Sequence, residues 1–419
     1  MKVHSALAVF MAATLLPGCA TQEPTASGAD EWVGTITTEG NVTTVVNQSG
    51  SVWAGAARLV EEASIGVESG SDPYMFGQVT AVWASHDRIY VVDWQVPAVR
   101  VYDLDGQHLL DLGRRGQGPG EFQIPVDVVA AGDDDAYVIE NNMRMNVFAP
   151  DGTPRDTWRP QQAFEVGFGG VLTLTTDVEV WVPYFDREFE RLARIRYGPD
   201  GFTGEPMLQP DLRVERECLS YESEGAPRSF CDLPFAPEAM IVFTPERSWA
   251  VGTSDAYRFE LRRVDGSVLA IERFWDPVPV TGAEAEYRRQ RITETIRERD
   301  PSWAWGDLEL PTHKPAYARL IPDRNGRTWV LREMPSRQAS DCPEEAPPCW
   351  EPEGYWLDAF DTDGRFLGSA TFEALRVPGS GDLPGAPVFI DGETILAVLT
   401  DGAGTSRVKR YRLVLPSAE

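Results

Sequence analysis

Arg88-Ile89-Tyr90-Val91-Val92-Asp93 is followed, after a short polar gap, by Val99-Arg100-Val101-Tyr102-Asp103-Leu104-Asp105-Gly106. The phrase then returns as Asp135-Ala136-Tyr137-Val138-Ile139-Glu140 and Met145-Asn146-Val147-Phe148-Ala149-Pro150-Asp151-Gly152. Each unit is an apolar run, a gap, a second alternating run and an Asp-Gly pair. β-Branched and aromatic residues suit a pleated, half-buried surface. Asp-Gly between alternating hydrophobics marks a hairpin, because glycine accepts the positive φ that the turn demands.

The same unit recurs in weaker form. Val180-Trp181-Val182 leads to Leu192–Ile195 and Asp200-Gly201, and Ser248–Val251 leads to Phe259–Leu261 and Asp265-Gly266. Arg327–Leu331 leads to Trp356–Phe360 and Asp363-Gly364, and Thr394–Val398 leads to Val408–Tyr411. The first two units are spaced by about 45 residues, the period of a propeller blade. A lone four-stranded sheet cannot bury both faces, so such sheets pack around an axis. The expectation is an all-β fold, a six-bladed β-propeller with one inserted helix and disulfide-stapled loops, formed as a single domain by residues 32–419.

Between the first two units lies Leu112-Gly113-Arg114-Arg115-Gly116-Gln117-Gly118-Pro119-Gly120-Glu121-Phe122, then Pro125. This pattern resembles the NHL-type repeat, and its longer Gly-Pro-Gly-Glu-Phe form resembles the six-bladed β-propeller lipoproteins of Gram-negative bacteria. The match spans about residues 75–160. The resemblance implies a propeller but no single activity, since propellers host many functions. The glycines do not form a phosphate loop, which sits between a strand and a helix; here Phe122 and Pro125 lead into another strand.

Lys2 and the apolar run Ala6–Leu16 read as a secretory signal, too short to span a bilayer. The run ends in Leu16-Pro17-Gly18-Cys19, which resembles a bacterial lipobox, with Pro17 departing from the usual pattern. That resemblance implies residues 1–19 as a lipoprotein signal peptide, Cys19 acylated (palmitate) and, with Ala20 next, an outer-membrane destination facing the periplasm or the cell surface. Residues 20–31 read as a flexible tether.

The chain carries 65 acidic against 38 basic residues, a formal net charge of −27. Such a surface repels nucleic acid and anionic headgroups. The charge therefore favours neutral, cationic or metal-bearing partners; the expected ones are the membrane, through the N-terminal lipid that the lipobox resemblance implies, and an unknown protein, peptide or sugar ligand, with the chain a monomer. Beyond Cys19, Cys218 with Cys231 and Cys342 with Cys349 are expected to form local disulfides in an oxidising compartment. Neither pair has zinc-site spacing.

Three segments interrupt the units: residues 203–236, 280–300 and 335–354. The middle one reads as a helix, with Thr281 as N-cap, acidic residues in its first turn and Pro301 after its end. Its thin apolar stripe of Tyr287, Ile292 and Ile296 places it against a propeller face. Val42–Val52 alternates and has no blade of its own, so it is expected to close the ring as an outer strand beside Tyr411–Val414.

Aligning units on their aromatics and stepping three residues on gives Asp93, Glu140, Tyr184, Gly252 and Arg332, expected where inner strands reach the channel mouth. A binding face is expected to gather Asp93, Trp94, Glu140, Asn141, Tyr184 and Arg332, with Arg114 and Arg115 nearby and either paired with carboxylates or kept for an anionic ligand. His86, His108 and His313 share no register, no G-x-S-x-G occurs, and Asp133-Asp134-Asp135 reads as a turn rather than a calcium loop. No catalytic residue, metal ligand or cofactor is assigned. The leading expectation is a non-catalytic binding or scaffold propeller. The alternative is an NHL- or lactonase-like lyase or hydrolase with a channel-mouth metal, which needs converging carboxylate, Asn or His side chains. A third reading is a sugar- or peptide-binding uptake component with Trp94, Trp303 and Trp305 stacking on ligand.

Overall fold

In a computed structural model of the chain, the described residues are 31–131, 135–160, 171–188, 191–339, 349–373, 388–400 and 404–416. Cys19, the signal segment, most of the tether, Asp133 and Asp134 lie outside them, as does Cys342 of the second expected disulfide. Among the described residues five antiparallel four-stranded sheets, and the four inner strands of a six-stranded sheet, form the six blades of a propeller. Blade one is Val79–Ala84, Arg88–Asp93, Val99–Asp103 and His108–Leu112; blade two is Pro125–Ala131, Asp135–Glu140, Met145–Phe148 and Pro154–Trp158. Blade three is Thr173–Leu174, Val180–Asp186, Arg191–Gly198 and Gly201–Leu208; blade four is Ala239–Phe243, Trp249–Thr253, Arg258–Arg262 and Val268–Arg273. Blade five is Arg319–Pro322, Thr328–Glu333, Gly354–Phe360 and Phe366–Glu373. Blade six is Val388–Asp391, Thr394–Thr400 and Ser406–Val414, completed by Arg58–Ile65 from the N-terminal part of the chain.

The repeat seen in the sequence is thus the second and third strand of each blade. The Asp-Gly turns join third to fourth strands in blades one to five, with φ near +80 to +90° at Gly106, Gly152, Gly201, Gly266 and Gly364. In the Gly-rich loop a Cβ on Gly113 would lie 2.3 Å from the Phe122 ring, and one on Gly120 would lie 2.3 Å from Pro154. Phe122 itself is fully buried between blades one and two. The motif is an inter-blade turn in which side chains at those positions have no room.

Each seam between neighbouring blades buries its own apolar cluster. The seam between blades three and four is the smallest, with Trp181, Phe243, Trp249 and Val251 buried. There Arg247 reaches across to Asp177 and Glu179, and the Thr176 N–H donates to the Pro245 carbonyl.

The ring is closed by an N-terminal strand, but not by the one expected. Val42–Ser49 pairs in parallel with Val268–Arg273 on the rim of blade four, carrying Val33–Glu39 outside it. Asn47 keys this position: its amide donates to the Glu272 and Gly364 carbonyls and its oxygen accepts from Trp32 Nε1 and the Phe366 N–H. The chain then crosses the outer strand of blade five, where Val52, Trp53 and Ala57 donate to Phe366, Leu367 and Ser369. Arg58–Ile65 finally pairs antiparallel with Val408–Val414. The physical reason is charge as well as register. Glu61 pairs with Lys409 at 2.9 Å, and Glu62 with Arg410 at 2.7 Å and Arg412 at 2.6 Å.

The insertions crowd one face. Gly282–Arg297 is the expected helix; Thr281 accepts from the Glu284 N–H and Ile292 and Ile296 are buried. The hairpin Leu219–Ser223/Ala226–Phe230 follows blade three, and Cys218–Cys231 closes its base with S–S 2.03 Å. A loop of this size contributes about 2–3 kcal/mol. The third insertion lies inside blade five as the hairpin Ser336–Gln338/Trp350–Pro352.

Candidate functional site

The residues selected by alignment end second strands, not the innermost ones. The innermost strands are the first of each blade, because all six contribute to the lining of the axial cavity. The displacement has a cause: the recurring phrase ends in the turn after the third strand and so fixes the alignment on second and third strands, whereas first strands vary from two to seven residues. The selected positions do share one face of the ring, but their polar groups serve the loops that enter each blade. Asp93 is buried and accepts from the N–H groups of Gly77, Gln78 and Gln95. Glu140 is buried, accepts from Gln123 and Ile124, and is ion-paired with buried Arg144. Arg144 also donates to the Gln117 and Glu121 carbonyls, as Arg100 in blade one donates to that of Met75.

In blade five the signs are reversed. Arg332 ends the second strand and donates to the Ala316 carbonyl, while Asp358 on the third strand is fully buried. Asp358 accepts from Tyr257 at 2.6 Å and pairs with Arg273 at 3.1 Å and Arg332 at 3.4 Å. Tyr184 packs on Phe202, Asn141 donates its N–H to the Ile124 carbonyl, and Trp94 Nε1 donates to Gln78. At Gly252 the Tyr317 hydroxyl occupies the space a side chain would need. Arg114, on the Gly-rich loop, is ion-paired with Glu121 at 3.0 Å, and Arg115 follows it on the same exposed turn. Trp303 and Trp305 pack with Ile292, Ile296 and Leu219 inside the inserted layer. His108, which begins a strand, faces Asp111 at 2.8 Å.

Two cavities have no counterpart among the positions chosen from the sequence. The first has a volume of about 560 Å³ and lies between the inserted layer and the ring. Phe230 comes from the disulfide-closed hairpin, Leu233 and Phe235 from the segment just after it, Arg288, Arg291, Ile292 and Thr295 from the helix, and Met240, Tyr317, Ala318 and Glu333 from blade four, the lead-in to blade five and blade five itself. Aromatic and aliphatic walls with a few charged groups are the usual make-up of a ligand site. The roof is anchored by a buried cluster. Lys314 Nζ donates to Glu333 at 3.0 Å, the Met334 carbonyl at 3.0 Å and Ser336 at 2.8 Å, and lies 3.5 Å from Glu284 in the helix's first turn. Burial lowers the pKa of Arg288, with Glu333 and Glu284 opposing the shift.

The second is the axial cavity, about 310 Å³. Ala318 lines the roofed cavity and Arg319 the axial one; Met240 and Val242, two apart on one strand, divide in the same way. The two therefore lie in series along the ring axis. Asp127 sits in the axial cavity and accepts from the N–H groups of Val128, Val171 and Leu172, each at 2.8 Å. Arg194 donates to the Val171 carbonyl beside it. Burial raises Asp127 from 3.8 to about 6 against those hydrogen bonds, and lowers Arg194 to about 10 against its attraction to Asp127.

The native state thus holds the Asp127 proton more tightly than the unfolded chain. Stability from this group is full below about pH 4, falls as pH rises toward 6 and is flat above. An Asp127→Asn variant lacks this change. Urea denaturation across pH should show wild type losing up to about 3 kcal/mol relative to the variant between about pH 4 and pH 7, at ~1.4 kcal/mol for each tenfold difference in proton affinity between the folded and unfolded states. A constant difference would contradict the assignment. Among the described residues no group of three or more His, Cys, Asp or Glu side chains is arranged to hold a metal ion.

A family model described as a 6-bladed beta-propeller matches residues 69–144. No curated protein matches the sequence. A Bacteroides fragilis protein provisionally described as exported is similar at 9% identity and TM-score 0.45, with 89% of this chain and 99% of that chain covered. A Bacteroides vulgatus member of the duf4221 family has 11% identity and TM-score 0.48, covering 86% and 99%. Virginiamycin B lyase from Staphylococcus aureus has 10% identity and TM-score 0.41, covering 85% and 100%. Among the described residues the chain is a mainly β six-bladed propeller with one α-helix and a Cys218–Cys231 disulfide.

Proposed function

We propose that this protein is a non-catalytic binding propeller that holds a peptide or sugar ligand in the roofed cavity. The observation that carries the reading is the roof itself: a disulfide-closed hairpin and a capped helix enclose about 560 Å³ above blades four and five. Loops on a rigid scaffold are where binding concentrates. Aromatic walls suit sugar faces or apolar side chains, and Arg288, Arg291 and Glu333 offer charged hydrogen bonds at the walls. Thr295 is an exposed helix position lining the cavity, so Thr295→Trp fills it at little cost to folding. Peptide and oligosaccharide panels are screened by thermal shift, which reports ligand by mass action. Ligands of the wild type should bind Thr295→Trp at least tenfold more weakly. Equal binding, or a stoichiometric metal lost on chelation together with a lyase or hydrolase activity, would overturn the reading.

The same proposal places the domain on the outer membrane as a monomer, tethered through acylated Cys19. Support comes from the lipobox-like Leu16–Cys19, from the Cys218–Cys231 disulfide, which suits an oxidising compartment, and from the exported description of the Bacteroides fragilis protein. Cys19→Ser should move the protein from the membrane to the soluble fraction. A wild type already soluble would contradict the anchor.

A further inference from the structure

We infer that the axial cavity is a second binding site, for a small amphiphilic molecule with an apolar body and a single carboxylate. Its lining includes three guanidinium groups, Arg194, Arg319 and Arg324, against two carboxylates, Asp127 and Asp323. Among the lining groups the excess is one positive charge, which suits a monoanion, and Asp391 outside the lining acts on Arg324. Burial raises the pKa of both carboxylates and lowers that of Arg194 and Arg319. The cavity is also rich in donors. Trp83 Nε1 and Arg324 Nε are buried without a hydrogen-bond partner among the described residues, and both residues line it. Unmet buried donors ask for acceptors.

Between the polar ends the walls are apolar. Trp83 and Phe389, with ring centroids 4.7 Å apart, face the cavity together with Val129, Leu174 and Val242. A hydrated polyanion finds no polar partners there, whereas an alkyl or aryl body does. A guanidinium fork matches a carboxylate's two oxygens. About 310 Å³ lies at the lower end of ligand pockets, so the body is short. The axial site does not depend on the roofed cavity, which different side chains form.

The test titrates the mature domain with octanoate, 1-octanol and inorganic phosphate by calorimetry, with tryptophan fluorescence in parallel. Octanoate should bind once per chain, 1-octanol and phosphate at least tenfold more weakly. Arg319→Met and Arg324→Met should each weaken octanoate at least tenfold with melting temperature held, and Thr295→Trp should leave it unchanged. Trp83→Phe should abolish the fluorescence change. Should Arg319→Met fail to fold, Arg324→Met decides alone. Octanol or phosphate binding as well as octanoate, no binding at millimolar octanoate, or undiminished binding in the folded arginine variants would each overturn the site.

Discussion

A chain that lacks Arg58–Ile65 is expected not to close its ring. This segment is the fourth strand of blade six, paired with Val408–Val414 along its length. Its loss strips the third strand of that blade of a hydrogen-bonded neighbour, and exposed strand edges recruit other chains. Ile65 and Ala63 are buried in this strand, Ile65 in the seam between blades six and one. Truncating a single buried Ile to Ala costs about 2–5 kcal/mol. Removing the whole strand therefore rivals the roughly 5–15 kcal/mol that holds a typical domain folded. The expected outcome is aggregated or unfolded protein by size exclusion and circular dichroism. Removing only residues before Val33 should leave a folded monomer. A folded, cooperative domain without Arg58–Ile65 would contradict the closure.

Lys314→Ala is expected to destabilise the protein by about 3–5 kcal/mol, because it removes the buried ammonium that pairs with Glu333 and lies 3.5 Å from buried Glu284. The Lys314 and Glu284 side chains are each 1% exposed. Glu284 also accepts from Ser336, so the cluster ties the helix's first turn to the hairpin inside blade five. Loss of the lysine should thus free the roof as well as lower the urea midpoint. Lys314→Met combined with Glu284→Gln should recover much of the loss, since removing both charges removes the uncompensated carboxylate. A single variant within about 1 kcal/mol of wild type would show that the cluster holds little.

Some features follow directly from local chemistry. The Asp-Gly turns, Gly113 packed against Phe122, the Thr281 cap and the Cys218–Cys231 pair each depend on residues near one another in sequence. The closing strand does not. Arg58–Ile65 carries Glu61-Glu62 at a bulge that breaks its alternation, and its basic partners lie at Lys409, Arg410 and Arg412. Val42–Val46 alternates better and so resembles a clasp more closely. The axial site is hidden for a similar reason. The first strands vary, from Thr173–Leu174 in blade three and Val388–Asp391 in blade six to Pro125–Ala131 in blade two, and so share no common phrase. The arginines set among apolar neighbours on third strands, Arg100 and Arg194, are a usable signal: a charged group flanked by Val, Ala or Ile on a buried strand needs a backbone carbonyl, and each has one. The roofed cavity draws on residues 230–240, 288–295, 315–318 and 333, which no single stretch could reveal.

Hydrogen–deuterium exchange of the mature domain, with and without the strongest peptide or sugar ligand from the screen, tests the binding claim most directly. Ligand is predicted to slow exchange in residues 230–240, 288–296 and 315–318, with the outer rim Val33–Ser49 unchanged. Protection confined to the rim or to the Gly-rich loop 113–122, with none beneath the helix, would contradict it.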